Sequence, residues 1–310
     1  MLSSLQSEKK RRELNEKIIK STLILAAAIS ILTTFGILFS ILFEAIEFFQ
    51  LRSFWYFLTG TIWSPGVANS QFGALPIFAG TFVITIIALL VAIPIGLGSA
   101  IYMSEYASPK FRDYLKPILE ILAGIPTVVY GFFAAITVAP LVVKVAAFFG
   151  LEATFNSALA SGIVMGIMII PLISSLSDDV IRAVPDSQRK AAFALGMTHG
   201  ETIKNIVIPS AMPGIISASL LALSRALGET MIVVMAAGLR PNLSWNPLED
   251  MTTVTVTIVN SLVGDFEFNS PETLSAFALG LVLFIVTLIL NMISLSLIRK
   301  FKEKYKVNTL

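Results

Sequence analysis

Six apolar segments dominate the sequence, and they exclude most of the folds that a chain of 310 residues could otherwise adopt. The segments are Ser21–Phe43, Leu75–Met103, Ile118–Val143, Ala158–Ser175, Ile215–Ala237 and Leu274–Ile298. Each is close to or beyond the length of about 20 residues that a helix needs to cross a membrane. Lipid offers no hydrogen-bond partner to a free backbone amide, so each crossing segment has to be helical. The sequence therefore predicts an all-α integral membrane protein with six transmembrane helices.

Charged residues are too few for a soluble domain. They make up 14% of the chain, whereas soluble domains average about 25%. The first apolar segment contains no small-residue cleavage site, so we interpret it as a retained helix and not as a removed signal peptide. The chain has no Cys and a single His, His199, so the sequence offers neither a disulfide nor a metal site.

Basic residues indicate the orientation of these helices. Eighteen of the 22 Lys and Arg residues precede the first segment or follow the second, fourth and sixth, and these places share one side of the membrane. Arg52, Lys144 and Arg240 fall on the other side. By the positive-inside rule, both termini and the loops 104–116 and 178–211 are expected to be cytoplasmic, which indicates a multi-pass protein of the cytoplasmic (inner) membrane.

This topology divides the chain into three parts. They are a basic cytoplasmic segment (1–20), a transmembrane domain (21–298) and a cytoplasmic tail (299–310). The basic run Lys9–Arg12 lies beside a predicted span, which favours contact with anionic lipid head groups over binding to nucleic acid. Trp55, Tyr56 and Trp63 fall in the first outer loop, where aromatic side chains typically form a belt at the membrane surface.

Two further patterns concern helix packing. Gly162 and Gly166 are four residues apart in the fourth span, and two small residues at this spacing permit close approach of a second helix. The apolar stretch Met251–Gly264 in the last outer loop is too short to cross a membrane. It is predicted to be a re-entrant or a surface helix.

The cytoplasmic segment Val184–Pro209 has the pattern of two short helices. Pro185, Asp186 and Ser187 are typical of a helix start, and Gly196 is suited to end the helix that follows. A second helix is predicted over His199–Val207, stopping before Pro209. The exposed face of this pair mixes charged and small apolar residues, which suits docking into the groove of a partner.

The same segment resembles the EAA loop of ABC importer permeases, whose motif is E-A-A, three residues, G, nine residues, I-x-L-P. The chain matches this spacing, with Lys190 in place of the Glu and Ile208 in place of the Leu. The resemblance implies a MetI-like bundle of helices whose loop 178–211 couples to a separate ATPase subunit. The coupling residues that it implies are Lys190, Ala191, Ala192, Gly196, Ile206, Ile208 and Pro209. The alternative is an ordinary amphipathic loop.

Two opposite charges, Arg225 and Glu229, fall inside the fifth apolar segment. A charge at the centre of a bilayer costs about 2.5–3.5 kcal/mol on insertion scales, and a spacing of four residues allows the two to pair on one helical face. Ser224 lies on the same polar stripe. The pair is either a buried salt bridge between helices or part of a pathway in which Arg225 binds an anion and Glu229 orients it. A guanidinium suits phosphate or sulfate, because it donates two parallel bonds to one oxyanion.

Several segments together resemble the PstC-type permease of phosphate ABC importers. They are FWYFLTGTIWSP, FGALPIFAGT, IPIGLGSAIYMSEYASP, ILAGIPTVVYGF and ALSRALGETMIVVMAAG, spread over most of the chain. The resemblance implies a subunit that translocates inorganic phosphate, with Arg225, Glu229 and Ser224 in the substrate pathway. It implies three kinds of partner, namely a second permease of the PstA type, an ATPase dimer and an extracytoplasmic phosphate-binding protein.

The chain itself has no G-x-x-x-x-G-K-[ST] loop, so ATP and Mg are expected on the ATPase subunit and no cofactor on this one. Three alternatives remain, which are a permease for another oxyanion such as sulfate or molybdate, a secondary transporter and an intramembrane enzyme. A secondary transporter typically shows internal repeats, and an intramembrane enzyme needs several nucleophilic or metal-binding residues in its spans. The sequence shows neither pattern.

Glu229 would repel a dianion if its own charge were unbalanced. It is therefore expected either to pair with Arg225 or to accept a proton from HPO4. The second arrangement favours phosphate over sulfate, which carries no proton at neutral pH. Exchange of Glu229 for Gln is then expected to alter the preference between the two anions.

Overall fold

The computed structural model describes residues 2–66, 69–263, 267 and 269–304. Within these residues six helical segments are long and apolar enough to cross a membrane. They are Asn15–Leu51, Leu75–Tyr106, Thr127–Phe148, Ala158–Arg182, His199–Leu227 and Pro271–Lys300. The prediction of an all-α protein with six membrane helices is confirmed.

Thirteen α-helices and one small hairpin form the described part of the chain. The helices are α1 Leu2–Leu51, α2 Phe54–Thr59, α3 Leu75–Ile101, α4 Pro109–Ala123, α5 Thr127–Phe133, α6 Ala139–Phe148, α7 Ala158–Arg182, α8 Asp186–Ala194, α9 His199–Thr202, α10 Ile208–Leu227, α11 Met231–Ala236, α12 Val254–Val263 and α13 Pro271–Lys304. The hairpin pairs β1 (Trp63–Ser64) with β2 (Gln71–Phe72) in antiparallel register. Three π-helical turns extend α3 or join helices, at Tyr102–Tyr106, Ala134–Val138 and Ile203–Val207.

The third span begins later than the predicted segment Ile118–Val143. Residues 118–123 belong to α4, which ends at Ala123, and the span itself runs over Thr127–Phe148. Pro126 explains the break, because the residue before a proline is pushed out of the helical conformation. The long apolar run in the sequence therefore covers the end of one helix and most of another.

The fifth span lies earlier than the predicted segment Ile215–Ala237. It starts at His199, passes through the π-turn Ile203–Val207 and ends at Leu227. Pro209 does not stop it, because Pro209 lies in the first turn of α10, where a proline removes few helical hydrogen bonds. The prediction of a separate second helix ending before Pro209 is therefore wrong.

Close packing of α3 against α7 forms the centre of the bundle. A Cβ atom on Gly162 would lie 2.6 Å from Ile87, and one on Gly166 would lie 2.8 Å from the carbonyl oxygen of Ala88. The two glycines thus let the helix backbones approach each other, as their spacing predicts. Gly96 provides the same close approach from the α3 side, against Ile173.

A second packed region joins α1, α13, α12 and the hairpin. Phe48 meets Phe57 and Phe72 edge to face, with ring centroids 5.4 Å apart in both pairs. Trp63 is buried in this region and packs on Phe72, with ring centroids 5.6 Å apart. The prediction that Trp63 belongs to an aromatic belt at the membrane surface is therefore wrong. Trp55 is exposed. Burial of Trp63 follows from its place in β1, opposite Phe72.

The short apolar stretch after the fifth span forms α12. Its first turn is buried, with Val254 and Val256 fully enclosed, and it packs against α3, α11 and α13. The backbone amide of Val254 donates to Thr81 Oγ1 at 3.0 Å. Helix α12 is therefore inserted among the other helices and is not a surface helix.

The glycine contact between α3 and α7 generates a test. Gly166→Ala places a methyl group against a backbone oxygen, and such overpacking costs about 1–3 kcal/mol. We expect a lower melting temperature in thermal unfolding of the detergent-purified protein. Gly98→Ala is the matched control, because no atom lies within 4 Å of a Cβ at Gly98 and Ala favours the helix. Equal melting of the two variants would contradict the importance of this contact.

Candidate functional site

The fifth span is interrupted at the position of the two charges that the sequence singles out. Helix α10 ends at Leu227 and α11 begins at Met231. Glu229 lies in the break and is 8% exposed. Its Oε1 accepts hydrogen bonds from the backbone amides of Met231 at 3.0 Å and Ile232 at 3.3 Å. The first amides of a helix have no helical partner, and a carboxylate is favourable there, so Glu229 caps α11.

Arg225 lies in the last turn of α10, and its side chain is exposed in this chain. Glu229 follows it by four residues, but the helix ends between the two, so they do not share one helical face. Among the residues that the structure describes, no ion pair joins Arg225 to Glu229. The pairing expected from the spacing is therefore not formed, because Glu229 instead binds the amides of α11.

Two other helices, α13 and α5, bring polar side chains to this region. Ser224 Oγ donates to Asn291 Oδ1 of α13 at 3.4 Å. Tyr130 of α5 lies near enough to Arg225 for the two side chains to interact electrostatically, and its hydroxyl donates to the Leu122 carbonyl at 3.0 Å. The three predicted pathway residues, Ser224, Arg225 and Glu229, thus stand together at one helix break.

Thr255 at the start of α12 completes the surroundings of the break. Its Oγ1 donates to the backbone carbonyl of Glu229 at 2.8 Å, which binds a carbonyl that the interrupted helix leaves without a partner. Sequence reasoning missed Thr255, Asn291 and Tyr130. A single uncharged polar residue in an apolar helix carries no distinctive signal, and only the tertiary packing brings Thr255 to Glu229, Asn291 to Ser224 and Tyr130 to Arg225.

The predicted coupling residues fall on α8, the following turn and the start of α10. Helix α8 covers Asp186–Ala194, and Gly196 takes a positive φ of 84°, as predicted for the helix end. Lys190 and Ala191 are exposed, whereas Ala192 is buried. Ile206, Ile208 and Pro209 are half-buried where the π-turn enters α10. Lys190, Ala191 and Ala192 therefore lie on α8, Gly196 lies in the turn after it, and Ile206, Ile208 and Pro209 lie on the π-turn and the start of α10, which contact α8.

At the opposite end of the bundle from α8, an ordered loop connects α11 to α12. The carboxylate of Glu249 accepts hydrogen bonds from Asn242 at 2.8 Å and Asn246 at 3.0 Å. These bonds, that from Asn242 above all, hold the pKa of Glu249 below its usual value. The amide of Met251 donates to the carbonyl of Ala237 and closes the loop. Trp245 projects from it and is largely exposed.

The six-helix fold is that of a transport permease. The family described as "Binding-protein-dependent transport system inner membrane component" matches residues 92–306, and the chain belongs to this family. It is 35% identical to the "Probable ABC transporter permease protein YqgH" of Bacillus subtilis, over 81% of this chain and 78% of that protein. It is 34% identical to the "Phosphate transport system permease protein PstC" of Mesorhizobium japonicum, over 86% of this chain and 84% of that protein.

Solved structures share the fold at low sequence identity. The chain superposes on a permease of the bacterial alginate ABC transporter with a TM-score of 0.57 and 16% identity, covering 90% of this chain and 94% of the other. For the inward-facing methionine ABC transporter MetNI the TM-score is 0.53 at 15% identity, covering 74% and 94%. These likenesses confirm the ABC importer permease fold that the EAA-like segment implies.

Proposed function

We propose that the chain is the permease subunit of an ATP-driven ABC importer that carries inorganic phosphate across the cytoplasmic membrane. The observation that carries this proposal is its similarity to PstC permeases along nearly the whole chain. The similarity to the PstC protein of Haemophilus influenzae, for example, is 30% and extends over 93% of this chain and 94% of that protein. The chain is then a transport subunit and not an enzyme, and ATP and Mg belong to the ATPase.

The position of Arg225 supports an anion pathway. A guanidinium stays charged at all physiological pH values, and facing lipid at the bilayer centre would cost it about 2.5–3.5 kcal/mol or more. Because this chain leaves Arg225 exposed, its face of α10 is suited to a water-filled pathway shared with a second permease subunit. There Arg225 would donate two parallel hydrogen bonds to phosphate, with Ser224 and Tyr130 beside it.

The hydrogen bonds of Glu229 limit the repulsion between its carboxylate and a dianion in the pathway. Its Oε1 receives two amide hydrogen bonds at the N-terminus of α11, where the helix dipole offsets part of its charge. Glu229 therefore does not need Arg225 as a partner, and the guanidinium is left for the substrate. The carboxylate remains beside the anion, where it favours a substrate that carries a proton.

The exposed surfaces fit the other proposed partners. The exposed side of α8, with Lys190 and Ala191, would dock on one subunit of an ATPase dimer. A second permease of the PstA type would cover the Arg225 face. The ordered loop that carries Trp245, together with the hairpin region, would receive a phosphate-binding protein at the opposite end of the bundle. ATP-driven motion of α8 would then tilt the spans and alternate access to Arg225.

Both termini and α8 are proposed to be cytoplasmic. The chain has no Cys, so single cysteines report their side without a background signal. Ser187→Cys on α8 should react with a membrane-impermeant maleimide in inside-out vesicles and not in intact cells. Trp245→Cys should show the reverse. Labelling of both positions from the same side would contradict this orientation.

Substitution of Arg225 tests the pathway directly. Arg225→Gln should lower phosphate uptake about tenfold or more, since a hydrogen bond to a charged group is worth about 1.5–3 kcal/mol. Arg225→Lys keeps the charge without the bidentate geometry, so it should retain more uptake than the Gln variant. Co-purification with the partner permease and ATPase checks assembly. Lost assembly would favour a structural role for Arg225, and undiminished uptake would overturn the proposal.

Exchange of Glu229 for Gln tests the selectivity. The Gln side chain keeps an acceptor for the amides of Met231 and Ile232 but removes the charge beside the anion. We expect the complex to assemble and its preference for phosphate over sulfate to decrease, measured by competition of each anion with labelled phosphate uptake. Molybdate is included to test the other oxyanions. An unchanged preference would count against this role of Glu229.

A further inference from the structure

The side chain of Arg189 on α8 points into the protein and ties three segments together. It is 16% exposed. One terminal nitrogen donates to Glu105 Oε1 at 2.8 Å and to the carbonyl of Ile181 at 3.0 Å. The other donates to the carbonyl of Val184 at 2.5 Å and to Asp186 Oδ1 at 3.3 Å. A single guanidinium therefore joins α8 to the ends of the second and fourth spans.

Glu105 receives a second connection from the same region. It lies in the π-turn Tyr102–Tyr106 that ends the second span, and its side chain is 5% exposed. Its backbone carbonyl lies 3.2 Å from His199 Nε2, at the start of α9. The His199 ring meets Tyr106 edge to face, with centroids 5.1 Å apart. Arg189, before the α8–α9 connection, and His199, after it, therefore both bind Glu105 at the end of the second span.

Apolar packing alone holds α8 weakly. Ala192 is its only buried residue, and a buried alanine contributes little compared with a buried leucine or phenylalanine. The apolar cluster beneath the region lies elsewhere, between Ala100 of α3, Ile181 of α7 and Val207 at the entry to α10. Besides Ala192, α8 contacts the span ends through Arg189, through a 3.1 Å hydrogen bond that Ser210 Oγ donates to Gln188 Oε1, and through stacking of Phe193 on His199 with ring centroids 6.2 Å apart.

The two basic neighbours on α8 have different surroundings. Lys190 is exposed on the face proposed to meet the ATPase, whereas Arg189 is directed at the spans. A helix that receives motion on one face needs a stiff connection on the other. The planar guanidinium, with several donors in fixed directions, provides such a connection better than a flexible ammonium group.

We propose that Arg189 is a positioning residue that makes α8 and the ends of the second and fourth spans a single rigid unit. Displacement of α8 by the ATPase then reaches those spans instead of being absorbed at the α7–α8 junction. This inference rests on the proposed function, since it assumes that the ATPase docks on the exposed side of α8.

The first experiment measures phosphate transported per ATP hydrolysed by the complete complex in proteoliposomes. Arg189→Ala should lower this ratio about tenfold, within the range typical of coupling between two sites, while ATP hydrolysis continues. Glu105→Ala should lower it in the same direction. The double variant should be no worse than Arg189→Ala alone, because both residues belong to one connection. Additive losses, or an unchanged ratio in either assembled single variant, would overturn the proposal.

Arg182→Ala is the matched control. It removes an exposed guanidinium from the end of α7, in the same region, and should leave the ratio unchanged. A loss equal to that of Arg189→Ala would mean that general charge in this region matters and not the connection through Arg189. If Arg189→Ala fails to assemble, Glu105→Ala carries the same test, because Arg189 then keeps its bonds to the two backbone carbonyls.

A second measurement does not depend on the substrate. Spin labels at Ser187→Cys on α8 and Tyr102→Cys at the end of the second span report the distance between them by electron resonance. The distance should stay narrow and equal in the nucleotide-free and ATP-bound complexes, and Arg189→Ala should broaden it. A wild-type distance that changes with nucleotide would overturn the rigid unit. A complex that hydrolyses ATP without moving phosphate, yet keeps the distance constant, would instead contradict the proposed function alone.

Discussion

Backbone groups that lipid cannot satisfy are the constraint on which the rest of this structure depends. Wherever a helix is interrupted inside the bundle, the chain has to supply its own hydrogen-bond partners. At the break in the fifth span the carboxylate of Glu229 binds two amides of α11, and Thr255 binds the carbonyl of Glu229. The polar residues of the candidate site are thus needed first to make an irregular backbone possible within apolar surroundings.

Capping by Glu229 has a consequence for Arg225. A carboxylate that is already bound by amides does not neutralise a neighbouring guanidinium, and Arg225 remains exposed on its side of α10. The interruption therefore separates two charges that a continuous helix would pair. It leaves one carboxylate bound by two amides and one exposed guanidinium, to which we assign the anion in the proposed function. The proposed phosphate pathway follows from that separation.

The α8 end of the bundle applies the same division of roles to two adjacent basic residues. Arg189 is bound by Glu105 and by the carbonyls at the end of α7, whereas Lys190 is exposed. Side chains one residue apart on a helix point in different directions, so neighbours can serve the protein interior and a partner separately. The closely packed pair α3 and α7, brought together by Gly162 and Gly166, links this end to the rest of the bundle.

The sequence by itself determined that six helices cross a membrane, that Gly162 and Gly166 allow a close contact, and that Gly196 takes the positive φ that follows the end of α8. Each of these depends on local composition or spacing, which the sequence displays directly. Only the tertiary structure decided where the third and fifth spans begin and end, because whether Pro126 or Pro209 breaks a helix depends on the turns around them. It also decided that Glu229 caps α11, that Trp63 is buried and that Arg189 reaches Glu105. Those arrangements require contacts between distant or differently oriented segments, and no periodicity in the chain records them.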